Sequence, residues 1–392
     1  MTPLEGLTVL DLTRVLSGPY CTMMLADMGA RVIKVERPSK GGDTRGWGPP
    51  FLAGESAYFL SINRNKESVA LDFKRSEGRA ILDRLIAASD VLVENFRPGT
   101  LAKLGLDYET LAARHPRLIY CSISGFGHTG PRSGEAGYDA VMQAEGGLMS
   151  ITGAADGPPF RLGVAIADIV SGMFAAQGIG LALFARERTG RGQAVDIGML
   201  DSVAALLTYQ AAIYFATGSA PTRMGNRHPT IVPYETFTAA DGEFVLAVGN
   251  DDQWRRFCQV VGLEDDGRFV TNRDRVTLYQ ELKPMLDERL RGRTRRDWIE
   301  QLAAAGVPCG SVRNLHEVFT DVQLAAREMV AQLTHPTIGS LSLIGVPIKL
   351  SETPASVRTA PPTLGQHTES VLQNDLGLTL NEINALRANG VI

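Results

Sequence analysis

The chain has 392 residues, a formal net charge of −4 at pH 7, 44% hydrophobic residues and 21% charged ones. That length holds two or three domains, or one large α/β domain with an appendage, and the mixed charge signs without a long basic tract argue against a nucleic-acid partner. Cys21, Cys121, Cys258 and Cys309 lie far apart with no CxxC or Cys/His ligand spacing, which argues against a disulfide frame or a metal site and for reduced thiols in a cytoplasmic protein.

The opening MTPLEGLTVLDL carries neither a cationic region before an apolar core nor an Arg-rich transit pattern, so the whole chain is read as mature and soluble. Residues 7–12, LTVLDL, suit a buried strand; a loop follows at Arg14 to Gly18, then a helical pattern from Tyr20 to Met28 that stops at Gly29. RVIKVER, residues 31–37, is the next strand, and this βαβ opening puts Glu36 where a dinucleotide fold keeps its ribose ligand. The first turn reads TRVLSGP, however, and lacks the G-x-G-x-x-G glycines that cradle a pyrophosphate, which leaves NAD binding a minor alternative. The loop GGDTRGWGPPF, residues 41–51, has the composition of a segment that carries function or covers a site.

Residues 68–73 read as a strand, 76–88 as a helix, 91–95 as a strand, and 118–127 as a fifth strand running into a glycine-rich turn. Such alternation predicts a mostly parallel sheet wrapped on both faces, with ligands at the carboxyl ends of its strands. Arg14, Arg37, Asn95 to Arg97 and the segment 125–139 fall at those ends. Residues 195–197 suit another strand and Asp201 starts a helix; composition changes near Gly218, where a second unit begins with MGNRHPTIVPYETF. There EFVLAVG, after Asp241-Gly242, reads as one arm of a hairpin, and helices are expected over 252–261 and 282–289. Residues 354–367 are Pro-, Thr- and Ser-rich and extended, and a last short helix opens on the capping-box pair Thr379 and Glu382 and stops at Gly390.

The most telling stretch is RLGVAIADIVSGMFAAQGIGLALFAR, residues 161–186, in which Asp168 is the only charge between the flanking arginines. An unpaired buried carboxylate is costly, so the chain must give it donors, shift its pKa or use it as a reactive group. Gly172, Ala176 and Gly180 follow it at four-residue spacing and leave a bare helical stripe that backbone or a ligand can approach. The plainer alternative makes Asp168 the N-cap of a helix whose body starts at Ile169. A membrane span is disfavoured, because the apolar part is short and holds Ser171, Gln177 and three glycines.

Five segments together resemble the family III CoA-transferases, the group of the formyl-CoA and carnitine CoA-transferases and related acyl-CoA racemases. They are LTVLDLTRVLSGPYCTMMLADMGARVIKVERP, LDFK (71–74), VENFRPGTLAKLGL (93–106), SISGFGHTGP (122–131) and RLGVAIADIVSG. The resemblance implies an α/β fold, with a Rossmann-like large domain carrying a parallel sheet, a smaller α+β domain, and an interlocked homodimer. In this chain the large CoA-binding domain is expected over about residues 1–200 and completed by about 335–392, with a linker helix at 201–224 and the small domain at 225–334.

By the same resemblance Asp168, closing the stretch from Gly163, is the nucleophile that passes through an aspartyl anhydride and an aspartyl-CoA thioester. No metal is required. Coenzyme A or its acyl thioester, as substrate, is expected to be held by Arg14, Val15, Leu16, Ser17, Arg37, Leu71, Lys74, Asn95, Phe96, Arg97 and Lys103, with Phe96 stacking on adenine and Asn95 reading its edge. Tyr138 and Asp139 are expected to meet the substrate. Family racemases carry a His before the Asp at this point; Tyr138 stands there instead, and its phenol is poorly matched to proton exchange near neutral pH. Gly225-Asn226-Arg227-His228-Pro229 replaces the glycine run of the formyl-CoA branch and resembles the succinate-type dicarboxylate branch, where Arg227 or His228 suits a second carboxylate. The function expected is transfer of CoA from a succinyl-CoA-like donor to a carboxylic acid. An α-methylacyl-CoA racemase or epimerase and a non-catalytic CoA-binding subunit remain the alternatives.

Overall fold

The computed structural model describes residues 1–264 and 267–392. Within them the chain forms two compact units, one of Met1–Leu148, Arg161–Ala212 and Val322–Ile392, the other of Met149–Phe160 and Ile213–Asp321.

The first unit opens with β1 (Thr8–Asp11), α1 (Ser17–Asp27), β2 (Arg31–Glu36), a small hairpin of β3 (Phe51–Leu52) and β4 (Glu55–Ser56), α2 (Ala57–Ile62) and β5 (Lys66–Ala70). It continues through α3 (Ser76–Ala87), β6 (Val91–Glu94), α4 (Tyr108–Arg114), β7 (Ile119–Ser124) and α5 (Asp139–Glu145). Beyond α6 (Leu148–Ile151), which falls in the second unit from Met149 on, come α7 (Ile166–Thr189), β8 (Ala194–Gly198), α8 (Met199–Ala205) and α9 (Thr208–Thr217), the last of which passes into the second unit at Ile213. Six of these strands make one parallel sheet in the order β5-β2-β1-β6-β7-β8, with Val9 opposite both Val32 and Val91. From β1 the chain builds outward through β2 and β5, then crosses to β6 and builds the other way. The switch point therefore lies between β1 and β6, and in such sheets the crevice at the carboxyl ends of those strands receives the ligand.

The inner strands of the sheet are covered on both faces and so are mostly apolar, apart from buried charges such as Asp11, Lys34 and Glu36. Leu10, Ile33, Val69 and Leu92 pack with Leu82 and Leu85 of α3, and Val9, Val32, Val91 and Ile119 pack with Cys21 and Leu25 of α1 and Ala175 and Ile179 of α7. Each such side chain contributes about 1.5–3 kcal/mol when fully buried. Among the described residues α7 alone is long and apolar enough to cross a membrane, or two spans if the bent pair α8 and α9 counts as one; its buried residues pack on α1 and on the sheet.

In the second unit β9 (Tyr234–Ala239) and β10 (Gly242–Ala247) form the expected hairpin, and β11 (Cys309–Ser311) pairs with β10. Its core joins Phe237, Phe244 and Leu246 to residues of α10 (Asp251–Val261), α12 (Tyr279–Leu290) and α13 (Arg295–Ala304), with α11 (Asn272–Thr277) and α14 (Leu315–Phe319) completing the unit.

The chain then passes through α15 (Val322–Ala326) and the hairpin of β12 (Val330–His335) and β13 (Gly339–Ile344) back to the first unit. Residues 354–363 run without helix or strand, with Ser356 N–H bonded to the Asp27 carbonyl and Thr359 N–H to Asn65 Oδ1, but the expected extended segment ends in turns at 364–367, where Thr368 N–H bonds the Gly365 carbonyl. Val371 and Leu372 of α16 (Thr368–Asn374) and Ile383 of α17 (Leu380–Ala388) complete the core over β5, and the Thr379–Glu382 capping box is formed.

Candidate active site

Asp168 is the third residue of α7, whose N-cap is Ala165, so the capping alternative is overturned: the helix begins at Ile166, before the aspartate. The cap comes from a distant side chain. Asp139, first residue of α5, accepts a hydrogen bond from Ala167 N–H on Oδ1 and one from Gln143 Nε2 on Oδ2, both at 2.9 Å.

The Asp168 side chain belongs to a residue only 8% exposed. Burial, joined by the negative charge of Asp139, pushes its carboxyl up to about 6, against two opposing hydrogen bonds from the Ser17 side chain and backbone N–H. No cation is among these influences. Ser17 reaches Asp168 because Gly172 lies one turn further along α7: a Cβ there would stand 2.6 Å from the Ser17 carbonyl oxygen. The bare stripe is thus filled at this level by the backbone of α1.

The turn that delivers Ser17 is strained. Val15 has φ of 62°, a left-handed conformation that costs a non-glycine residue on the order of 1–3 kcal/mol. Two polar assemblies hold it. Just past β6, Asn95 Oδ1 accepts from Arg14 N–H at 2.8 Å while its Nδ2 donates to the Arg14 carbonyl at 2.8 Å. Beneath the turn, buried Asp11 accepts from Thr13 N–H, the Thr13 hydroxyl, the Thr22 hydroxyl and Lys66 Nζ. Lys34 donates to the Thr13 carbonyl and Lys66 to that of Pro19. Burial alone would raise the Asp11 carboxyl, but Lys34, Lys66 and the two hydroxyls hold it well below the usual carboxylate range. Burial pulls the Lys66 ammonium down to about 8 in spite of Asp11.

Arg14, Val15, Ser17, Asn95, Phe96, Arg97, Tyr138 and Asp168 line one cavity of about 330 Å³ at the switch point, within the size range of small-molecule sites. The Arg14 guanidinium lies 4.8 Å from the centre of the Phe96 ring, and burial followed by the nearby Arg37 charge lowers its pKa. Glu94 Oε2 accepts from Phe96 N–H at 2.8 Å, fixing the clamp from behind.

Other expected residues are elsewhere. Leu16 is buried in an apolar cluster with Met23 and Ile62. Leu71, the residue after β5, is buried in the core, and its N–H donates to the Glu36 carbonyl at 2.8 Å. Arg37 pairs with Asp43 at 2.6 Å, while Lys74 and Lys103 are exposed. Asn95 does not present a free amide edge for adenine, since both ends of that amide are committed to Arg14. In the second unit the Arg227 guanidinium covers the Tyr279 ring at 4.1 Å and His228 Nδ1 accepts from Thr230 N–H at 3.2 Å. Glu36 is no ribose ligand: it is buried and bound by Arg45 Nε and Nη2 at 2.9 and 2.7 Å and by the Ser68 hydroxyl at 2.7 Å.

Sequence reasoning missed Tyr58 and Ser124. Tyr58 packs with Ala165 and Ile169 on either side of Asp168, and its ring stands edge-on to Trp47 at 5.1 Å. Burial first, then the charges of Asp168 and Asp139, push its phenol up to about 12. Trp47 belongs to the loop whose composition suggested function, and Tyr58 follows it, so a signal for one was within reach. Ser124 ends β7, lines the same cavity, and among the described residues its buried Oγ has no hydrogen-bond partner.

Residues 4–368 match CoA-transferase family III. The chain belongs to this family. Over 395 residues it is 44% identical to a succinyl-CoA:glutarate CoA-transferase of Mus musculus, covering 100% of this chain and 91% of that protein. It is also 44% identical to a succinate–glutarate CoA-transferase of Agrobacterium fabrum, covering 94% and 95% of the two chains. A crystal structure of a CAIB/BAIF family protein from Brucella suis superposes with a TM-score of 0.85 at 43% identity, covering 95% of this chain and 99% of that one. This family III CoA-transferase therefore has its Asp168 in a cavity of the large parallel-sheet unit.

Proposed function

We propose that the protein transfers CoA from a succinyl-CoA-like donor to a carboxylic acid, with Asp168 as the covalent carrier. The observation that carries this reading is a nearly buried carboxyl, held by no cation among the described residues, that faces a cavity large enough for a small ligand. The names of the relatives support a dicarboxylic donor and acceptor.

The ionised Asp168 attacks the thioester carbonyl, and the tetrahedral adduct expels CoA thiolate to leave an acyl-aspartyl anhydride. The thiolate then attacks the aspartyl carbonyl, releasing the donor acid as carboxylate and leaving aspartyl-CoA. An acceptor carboxylate attacks that thioester, expels thiolate and forms a second anhydride. Attack of the thiolate on the acceptor's acyl carbonyl gives the new acyl-CoA and restores Asp168. Ser17 N–H and hydroxyl, already directed at this carboxyl, are the donors that steady the negative oxygen of the aspartyl adducts. Asp139 positions the helix that presents Asp168. Arg14, Phe96 and Arg97 in the cavity, with Arg37, Lys74 and Lys103 outside it, hold the CoA phosphates and adenine. Exposed Met173, Leu181 and Phe184 on α7 support an interlocked homodimer, and the four free cysteines support a reducing, cytoplasmic setting.

Incubation with acyl-CoA followed by hydroxylamine and peptide mass analysis tests the reading. A hydroxamate is expected at Asp168, and none in Asp168→Ala, which should also lose transfer. An unmodified Asp168 together with full activity of Asp168→Ala would refute it.

A further inference from the structure

Ser124 stands out in the cavity for what its hydroxyl lacks. It is 6% exposed, it ends β7 in register with Gly198 of β8, and its Oγ finds no hydrogen-bond partner among the described residues. The neighbouring polar groups are engaged: Asn95 holds Arg14, and Ser122, two residues earlier, is 2.7 Å from His128 Nε2. A buried hydroxyl left without a partner is destabilising, and native proteins keep few of them. Ser124 shares its cavity with Asp168, Ser17, Phe96 and Tyr138, so the group that completes it must enter with the ligand.

We propose that Ser124 is a substrate-binding residue, whose hydroxyl donates a hydrogen bond to a carbonyl oxygen of the pantetheine–thioester arm of acyl-CoA. This rests on reading the cavity as the acyl-CoA site. The hydroxyl is unpaired in the free protein and paired in the complex, so it favours binding without having stabilised the fold. Replacing it with a methyl group therefore separates the two effects: a structural serine loses stability on conversion to alanine, whereas this one loses only ligand affinity.

The experiment compares wild type, Ser124→Ala and Ser124→Cys, the last nearly the same shape with a weaker donor. Thermal unfolding of the free proteins is measured beside KM and kcat for acyl-CoA. Ser124→Ala is expected to unfold at or above the wild-type temperature, with KM for acyl-CoA raised about 3- to 10-fold and Ser124→Cys between the two. An unchanged KM overturns the proposal. So does a lowered unfolding temperature in both variants, since the hydroxyl would then be part of the fold. Acyl-CoA binding by calorimetry, in Asp168→Asn with and without Ser124→Ala, repeats the comparison without turnover. Should Asp168 prove not to be the carrier, that binding pair still decides the role of Ser124.

Discussion

Asp168→Asn is expected to make the protein more stable while abolishing transfer. The carboxyl rises from 3.8 to about 6 on folding, with burial as the first cause and Asp139 as the second. A raised carboxyl pKa favours the folded state only while the group is protonated, so this contribution is intact below pH 3.8 and is lost as pH rises through 6. At about 1.4 kcal/mol per unit, the ionised aspartate costs about 1.5 kcal/mol at pH 5 and about 3 kcal/mol at pH 7. Asparagine avoids the charge, and its amide oxygen can still accept from Ser17. Urea unfolding of both proteins from pH 5 to pH 8 should show the variant ahead by a margin that widens with pH and levels off above about pH 7. A margin that is flat, or that favours wild type at pH 8, refutes the view that Asp168 is held ionised in a site unsuited to its charge.

The same carboxyl sets the acid limb of the rate. Transfer by wild type should fall as pH drops through about 6, and Asp139→Asn, which keeps an oxygen for Ala167 N–H but removes the charge, should move that limb to lower pH; an unmoved limb in kcat/KM contradicts the coupling. Asn95→Ala releases both backbone groups of Arg14 and should raise KM for acyl-CoA about tenfold with a smaller effect on kcat, whereas equal losses in kcat and kcat/KM would show that the clamp acts elsewhere. Lys66→Met withdraws one of the two cations facing buried Asp11 and should destabilise the fold by about 3 kcal/mol; a loss below about 0.5 kcal/mol in urea unfolding, the level of an ordinary surface change, would remove the network from the account of the Val15 turn.

The parallel sheet was legible because strands covered on both faces are mostly apolar, with few polar residues interrupting each run. The runs at 7–12, 31–37, 91–95 and 118–127 contain β1, β2, β6 and β7. Where a boundary was misplaced, a partner distant in sequence decided it. β5 begins at Lys66, before the apolar run that marked it, because the lysine is buried against Asp11. α1 starts at Ser17, ahead of the expected Tyr20, and takes Pro19 into its first turn, where a missing N–H is tolerated. α7 starts before Asp168 because its N-terminus is satisfied by Asp139, 28 residues earlier. Local pattern carries the hydrophobic periodicity and omits the polar group that a remote segment supplies.

The site follows the same division. Asp168 drew attention as a lone charge in an apolar run, and that is a local signal. The partners that Glu36, Leu71 and the Asn95 amide find in the structure, Arg45, the covered core and the Arg14 backbone, are brought together only by folding. Asp139 shows why the two levels are joined. Capping Ala167 N–H requires an oxygen acceptor, which asparagine or serine can also provide. Only a carboxylate, however, adds a second negative charge beside Asp168 and raises its pKa. Capping therefore accounts for a polar residue at 139, and the electrostatics of the neighbouring carboxyl account for its being aspartate. One side chain holds the helix start and adds to the basicity that burial gives the carboxyl it carries, so a neutral replacement that preserves the first should still alter the second.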